Sequence, residues 1–283
     1  MTTIIFPRNP LTGLGFDEEF LREVDVMRFA DGIQLAHVDH DALVSADAPR
    51  FKVINGVDEG EALYRGWMLT APQYYRLHMA VEKAGLSLFT SHDEYRTAHQ
   101  IDGWLEAFDG ITFPTVLLRA DATDEEIREA ASVLNTDKFF VKDYVKSQKG
   151  DASLSVAESL EALPATVARF IDAQDEWLVG GIVIRKFVEL PADRVEIRGW
   201  WKEGEWRAFT SHPDYAGKVS TQEIPQELLD DVTNRLNGLG LRFVSVDFTP
   251  TVSEGWKVIE VGDGQVSGFP DGLADNIISS ILR

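Results

Sequence analysis

The sequence predicts an α+β protein in which a small α/β domain over residues 1–110 precedes a larger α+β portion over residues 111–283. Strand-like and helix-like apolar periodicities alternate through the first 110 residues, and beyond residue 111 single strands, helices and two hairpin patterns follow. A chain of 283 residues that is 44% hydrophobic is also long enough for two domains, or one elaborated α/β domain, with real cores.

Taken in order, Thr3-Ile-Ile-Phe-Pro is a short buried strand, and residues 60–85 carry helical apolar spacing that ends at Gly85 as a C-cap. Leu86-Ser-Leu-Phe-Thr is another strand. Residues 91–108 have a helical pattern with Ser91 or Asp93 as cap, and Ile111-Thr-Phe-Pro-Thr-Val-Leu-Leu-Arg is extended. Thr123-Asp-Glu-Glu126 is a capping box whose acids suit the positive end of the helix that follows. Lys138-Phe-Phe-Val-Lys-Asp-Tyr-Val-Lys is a strand, followed by a polar loop over residues 147–153 and a helical stretch interrupted at Pro164. Residues 182–190 and 195–210 supply more strands, the second set turning at Lys202-Glu-Gly-Glu205. Residues 222–238 are helical, Arg242-Phe-Val-Ser-Val-Asp-Phe and Trp256-Lys-Val-Ile-Glu-Val form a hairpin, and an amphipathic segment over residues 273–282 closes the chain.

Composition narrows the function. With no cysteine there are no disulfides, thiolate metal sites or cysteine nucleophiles, which fits a cytoplasmic protein. The N-terminus lacks a basic segment followed by a long apolar run, so no export is expected. No stretch of about 18 apolar residues is present, so no membrane span is expected either. Lys and Arg number 27 against 47 Asp and Glu, a net charge of −20 that repels nucleic acid and anionic lipid surfaces. Any phosphate-bearing ligand must therefore meet a local cluster of cations.

The strand around Lys142 contains such a cluster. A period of two places Phe140, Lys142, Tyr144 and Lys146 on one face, and Lys149 follows in the polar loop, where small residues suit backbone contacts to phosphate. The same lysines would equally serve a solvated edge strand. Gly180-Gly-Ile-Val-Ile-Arg-Lys-Phe-Val-Glu-Leu is an apolar strand with a charged exit, a pattern shared by a plain buried strand and by the wall of a base and ribose site. Glu196, Arg198 and Trp200 alternate onto one face, where the arginine is either half of an ion pair or a fork for an oxyanion.

In the hairpin, a turn centred on Ser253 and Glu254 pairs Val246 with Val261, Asp247 with Glu260 and Phe248 with Ile259. Opposed residues have Cβ atoms roughly 4.5–5.5 Å apart, so the two carboxylates repel unless neutralised. Mg²⁺ shared with substrate phosphates would neutralise them, and a solvated acid pair is the alternative. His37-Val-Asp-His-Asp reads as a loop rather than a metal cluster. Tyr64-Arg-Gly-Trp67 reads as an aromatic core with Arg65 reaching outward, the alternative being a place where substrate is recognised.

Together, the basic strand and polar loop, the apolar strand with charged exit, the Glu-x-Arg strand, the Val-Asp-Phe strand and the Val-Ile-Glu strand resemble the ATP-grasp family over residues 111–283. Lys142-Asp-Tyr-Val-Lys-Ser and Glu260-Val-Gly-Asp-Gly-Gln-Val-Ser are similar to its R-two-K clade in bacteria and phages. The resemblance implies an ATP-grasp fold of two α+β lobes, over residues 111–180 and 181–283, clasping Mg²⁺ and ATP. It implies Lys142 on the nucleotide phosphates with Lys146 or Lys149, and Lys186, Phe187 and Val188 along adenine with Glu189 near the base or ribose. Arg198 would touch the transferred phosphate, and Asp247 and Glu260 would hold the metal. The activity implied is amide or peptide bond formation between a small-molecule or peptide carboxylate and an amine through an acyl phosphate. The alternatives are a kinase-like phosphotransferase and a non-catalytic nucleotide-binding regulatory module. Two positions depart from the family pattern: Gly262 replaces an asparagine found in many members, and the phosphate loop holds only Gly150. Oligomeric state and substrate identity are not readable from the sequence.

Overall fold

A computed structural model describes residues 2–45, 60–145, 152–193, 195–215 and 224–283. Its strands fall into three four-stranded sheets.

The first sheet is parallel, in the order β2-β1-β3-β4, and is built from β1 (Thr2–Pro7), β2 (Ile33–Val38), β3 (Gly60–Tyr64) and β4 (Leu86–Leu88), with helices α1 (Leu21–Arg28), α2 (His40–Val44) and α3 (Ala71–Lys83). The helix expected over residues 60–85 begins only at Ala71. Ala62, Leu63 and Tyr64 are all buried because β3 lies between β1 and β4, so the strand shows no alternation to distinguish it from helix. Thr70 and Gln73 form the capping box that starts α3. The expected loop at His37-Val-Asp-His-Asp is instead the end of β2 and the start of α2, with the Asp39 side chain accepting from the Ala42 amide.

Residues 91–108 do not form one helix. Ser91 and Glu94 cap α4 (His92–His99), the chain becomes extended at Gln100, and α5 (Ile101–Trp104) follows. Their apolar faces, with Ala98, Ile101, Trp104 and Phe108, pack against Val244, Val246 and Phe248 of the third sheet.

The second sheet is antiparallel, in the order β5-β8-β6-β7, from β5 (Thr115–Leu118), β6 (Phe139–Asp143), β7 (Val156–Ala157) and β8 (Ile182–Lys186). Strand β8 sits between β5 and β6, so this sheet draws on residues either side of position 181. Helix α6 (Asp124–Ser132), capped by the Thr123 and Glu126 box, and α7 (Leu163–Gln174) cover one face through Ile127, Val167 and Phe170. Pro164 lies in the first turn of α7 and opens that helix rather than interrupting it. A first-turn proline loses no intrahelical hydrogen bond and has its φ pre-set.

The third sheet is antiparallel, in the order β10-β9-β11-β12, from β9 (Ile197–Lys202), β10 (Glu205–Ser211), β11 (Phe243–Pro250) and β12 (Trp256–Asp263), with α8 (Gln226–Gly238) on one face and α9 (Asp275–Leu282) on the other. Glu203 and Gly204 make the β9–β10 turn with φ of 50° and 88°, the pair of positive values that a tight two-residue hairpin demands. Trp200 and Phe243 join α1, α9 and β1 in a common core that ties the first sheet to the third. Among the described residues, no helix is long and apolar enough to cross a membrane.

Candidate functional site

One face of the second sheet looks onto the third, and charged side chains meet between them. Antiparallel pairing places Lys142 opposite Val183 and Phe140 opposite Arg185, so Lys142 and Arg185 share that face. From the third sheet, Asp247 and Glu260 oppose each other across β11 and β12, and Arg198 opposes Asp247 across β9. Lys142 Nζ lies 3.3 Å from Glu260 Oε1, bridging the two sheets. Arg198 donates from Nε and Nη2 to both oxygens of Asp247, each at 2.8 Å, and from Nη1 to the Gly268 carbonyl at 3.1 Å.

The hairpin register holds at Val246–Val261 and Asp247–Glu260 but then shifts, so that Phe248 opposes Val258 rather than Ile259. Ile259 is the extra residue of a β-bulge, a device that frees backbone groups from the ladder and aims them elsewhere. Its carbonyl accepts from Arg185 Nη1 at 2.9 Å. The hydrogen bond closing the turn runs from the Thr251 amide to the Gly255 carbonyl, which moves the turn's centre to Ser253.

Burial sets the electrostatics of the cluster. It lowers the pKa of Lys142, against which Glu260 pulls upward, and it pushes Arg185 down to about 10 with Glu260 again opposing. For Arg198 burial also acts downward, but the bidentate Asp247 carboxylate outweighs it and the pKa is raised. His212 stands 3.8 Å from Asp247, from Glu196 and from Asp214, so the acid–arginine pair has a histidine beside it.

Lys142, Arg198, Asp247 and Glu260 are therefore neighbours. The remaining expected positions lie along the exit of β8. Lys186 pairs with Glu254 in the β11–β12 turn at 3.1 Å, the Phe187 ring lies 4.5 Å from the Lys138 ammonium, and Val188 is half-buried. Glu189 is exposed, and its carbonyl accepts from the Val252 amide at 3.1 Å. Lys146, Lys149 and Gly150 lie outside the described residues. Gly262 faces Ser245 across the ladder, and a Cβ there would stand 3.2 Å from Ser245 Oγ and 3.5 Å from Ser267 Oγ, two hydroxyls hydrogen-bonded at 2.6 Å.

Three residues to which the sequence pattern assigns no role, Arg185, Asp263 and His212, prove central to this region. Arg185 sits inside an apolar run, and only the bulge and the facing sheet show its position. Asp263 is wholly buried at the end of β12. Its Oδ1 accepts from the backbone and side-chain nitrogens of Gln265, and Gln265 reaches Tyr74 and the Tyr64 amide in the first sheet. Arg65 does not reach outward. It is 2% exposed, pairs bidentately with Glu23, and donates to the carbonyls of Gln265 and Ser267, because the segment after β12 covers it.

The donor set suits a hard cation: two carboxylates on opposed residues, whose lone pairs outnumber those engaged by Lys142 and Arg198. No group of three or more acidic or histidine side chains among the described residues is arranged to hold a metal ion by itself, so such an ion would complete its shell with substrate oxygens and water.

A family profile described as an ATP-grasp domain of the R-two-K clade, family 3, matches residues 133–281. Among solved structures, the chain is similar to a RimK domain ATP-grasp protein of Sphaerobacter thermophilus, with a TM-score of 0.67 at 15% identity over 99% of this chain and 98% of that one. It is similar to the D-alanine-D-alanine ligase from Coxiella burnetii, with a TM-score of 0.64 at 11% identity over 99% and 90% of the two chains. It is also similar to the ATP-grasp ligase PsnB complexed with minimal precursor, Mg and ADP, with a TM-score of 0.57 at 12% identity over 100% and 98%. No curated protein matches the chain. At these identities the likeness is one of fold.

Proposed function

Because this chain belongs to the ATP-grasp family, in family 3 of the R-two-K clade, we propose that it is a cytoplasmic ATP-dependent ligase joining a small-molecule or peptide carboxylate to an amine. The observation that carries this reading is the charged seam between the two antiparallel sheets, where Lys142, Arg185 and Arg198 surround Asp247 and Glu260. In a protein of net charge −20, three cations gathered in one seam are where a triphosphate finds attraction. The solved ligases of the same fold support the reaction class.

The carboxylate oxygen of the substrate attacks the γ-phosphorus of ATP, ADP leaves, and the acyl phosphate is then attacked by the amine, releasing inorganic phosphate and leaving the amide. No protein nucleophile is required. Positioning and charge neutralisation account for most of the rate. Asp247 and Glu260 would hold Mg²⁺, which when bound neutralises phosphate charge. Lys142, with Lys146 or Lys149, holds phosphate oxygens. Arg198, locked in orientation by Asp247 and the Gly268 carbonyl, presents positive charge to the transferred group. Lys186, Phe187, Val188 and Glu189 form the wall for adenine and ribose. The first sheet and its loops, within residues 1–110, supply substrate specificity.

Gly262 and the Ser245–Ser267 pair behind it favour a second reading, in which the chain binds nucleotide without turning it over. Thermal shift with ATP, with and without Mg²⁺, tests binding, and ADP release across paired carboxylates and amines tests turnover. Glu260→Gln is the informative variant because Glu260 is partly exposed and meets Lys142 through a single 3.3 Å contact, whereas Asp247→Asn breaks a bidentate pair with a buried arginine and costs more folding stability. The ligase reading expects a large Mg²⁺-dependent shift that Glu260→Gln removes, and ADP release that requires both acceptors. ADP release with a carboxylate alone, giving a stable phosphorylated product, identifies a phosphotransferase. A shift with no ADP release identifies a regulatory module.

A further inference from the structure

Three arginines buried among the described residues invite comparison. Arg65 and Arg198 each turn the side-on edge of the guanidinium, Nε with Nη2, onto a carboxylate, that of Glu23 and of Asp247 respectively. Arg185 is 5% exposed and anchored by Nη1 to the Ile259 carbonyl, yet the same edge, Nε and Nη2, has no hydrogen-bond partner among the described residues. An unpaired buried donor loses its hydration without compensation, and a guanidinium loses more than most. The bulge presents the Ile259 carbonyl that anchors one end of the guanidinium, leaving the Nε–Nη2 edge unpaired.

We infer that Arg185 is an oxyanion-binding residue of the seam, whose Nε–Nη2 edge receives a pair of phosphate oxygens from the bound nucleotide. A planar fork of two parallel donors matches phosphate or carboxylate. The phosphate is favoured by position. Arg185 shares its sheet face with Lys142, faces the Glu260 strand, and immediately precedes Lys186 at the strand exit. The inference rests on the nucleotide-binding reading above and adds to it a named phosphate contact that the strand pattern did not reveal.

Calorimetric titration of the full chain and of its Arg185→Gln and Arg185→Lys variants with Mg·ATP, Mg·ADP, AMP and adenosine, and separately with glutarate as a carboxylate probe, tests it. Arg185→Gln is expected to weaken Mg·ATP on the order of ten- to hundredfold, the usual range for hydrogen bonds to a charged group, and to leave adenosine unchanged. Arg185→Lys is expected to recover only part of the loss, because it restores charge without the fork. Folding is checked by the melting temperature without ligand, which is expected to change little, since the lost Nη1 bond to the Ile259 carbonyl is offset by removal of a buried cation with an unpaired edge. Equal Mg·ATP affinity in wild type and Arg185→Gln overturns the inference while leaving the ligase reading standing. So does a loss that extends equally to adenosine, which marks a structural role, or one confined to glutarate, which marks a carboxylate subsite. A wild-type protein that binds no nucleotide overturns both.

Discussion

Replacing Asp263 with asparagine should stabilise the protein above neutral pH and lose that advantage in acid. Asp263 is wholly buried, only Oδ1 is hydrogen-bonded, and Oδ2 has no partner among the described residues. Burial raises its pKa from 3.8 to about 7, with the Gln265 bonds pulling down and Glu94 pushing up. A folded pKa above the unfolded one means that the folded protein binds more protons between pH 3.8 and 7. Stability therefore falls as pH rises through that window and levels off above it. The rise is about three units at about 1.4 kcal/mol each, an order-of-magnitude cost of about 4 kcal/mol for the ionised form. Asparagine keeps the acceptor for Gln265 but places an amide where Oδ2 found no partner, a penalty of about 1–3 kcal/mol. The net gain above pH 7 is then about 1–3 kcal/mol, and near pH 4 asparagine is the less stable of the two. Urea denaturation of both proteins in half-unit steps from about pH 4.5 to about pH 8.5 measures the difference directly. A difference between them that does not change with pH would refute the reasoning, because it would place the titration of Asp263 at the same pH in both states.

Arg65→Ala should cost about 3–5 kcal/mol in the same assay, since it strands Glu23 and frees the carbonyls of Gln265 and Ser267; a cost under about 1 kcal/mol would show that the clasp is dispensable. Gly181→Ala should fold poorly, because a Cβ there collides with the Leu118 carbonyl oxygen, and wild-type melting would show that β5 can yield. Burial lowers Lys202 to about 8 from 10.5, so its burial as a cation is unfavourable at neutral pH and that penalty disappears between those values. The stability of wild type relative to Lys202→Met should climb by about 3 kcal/mol from pH 8 to 10.5, and a flat profile would mean that the ammonium is solvated.

Local order was legible in the chain. The capping box at Thr123, the Glu203–Gly204 turn and the opposition of Asp247 to Glu260 all arise from hydrogen bonds and backbone sterics acting over a few residues, or over one short hairpin. Side-chain type and spacing are sufficient for such features. The strand Gly60–Tyr64 escapes such reading because burial on both faces erases alternation, and the start of α7 escapes it because a proline reads alike as a breaker and as a first-turn residue.

What only the tertiary structure decided is which distant groups meet. Lys142 reaches Glu260 across 118 positions, Gln265 reaches Tyr74 across 191, and Arg185 is left with a free edge by a bulge in a strand of another sheet. A register shift of one residue moves the Ile259 carbonyl onto Arg185, and nothing in the composition of either strand marks that position. Periodicity specifies which face a side chain occupies, whereas packing between sheets specifies what that face meets, and the candidate chemistry of this protein depends on the second.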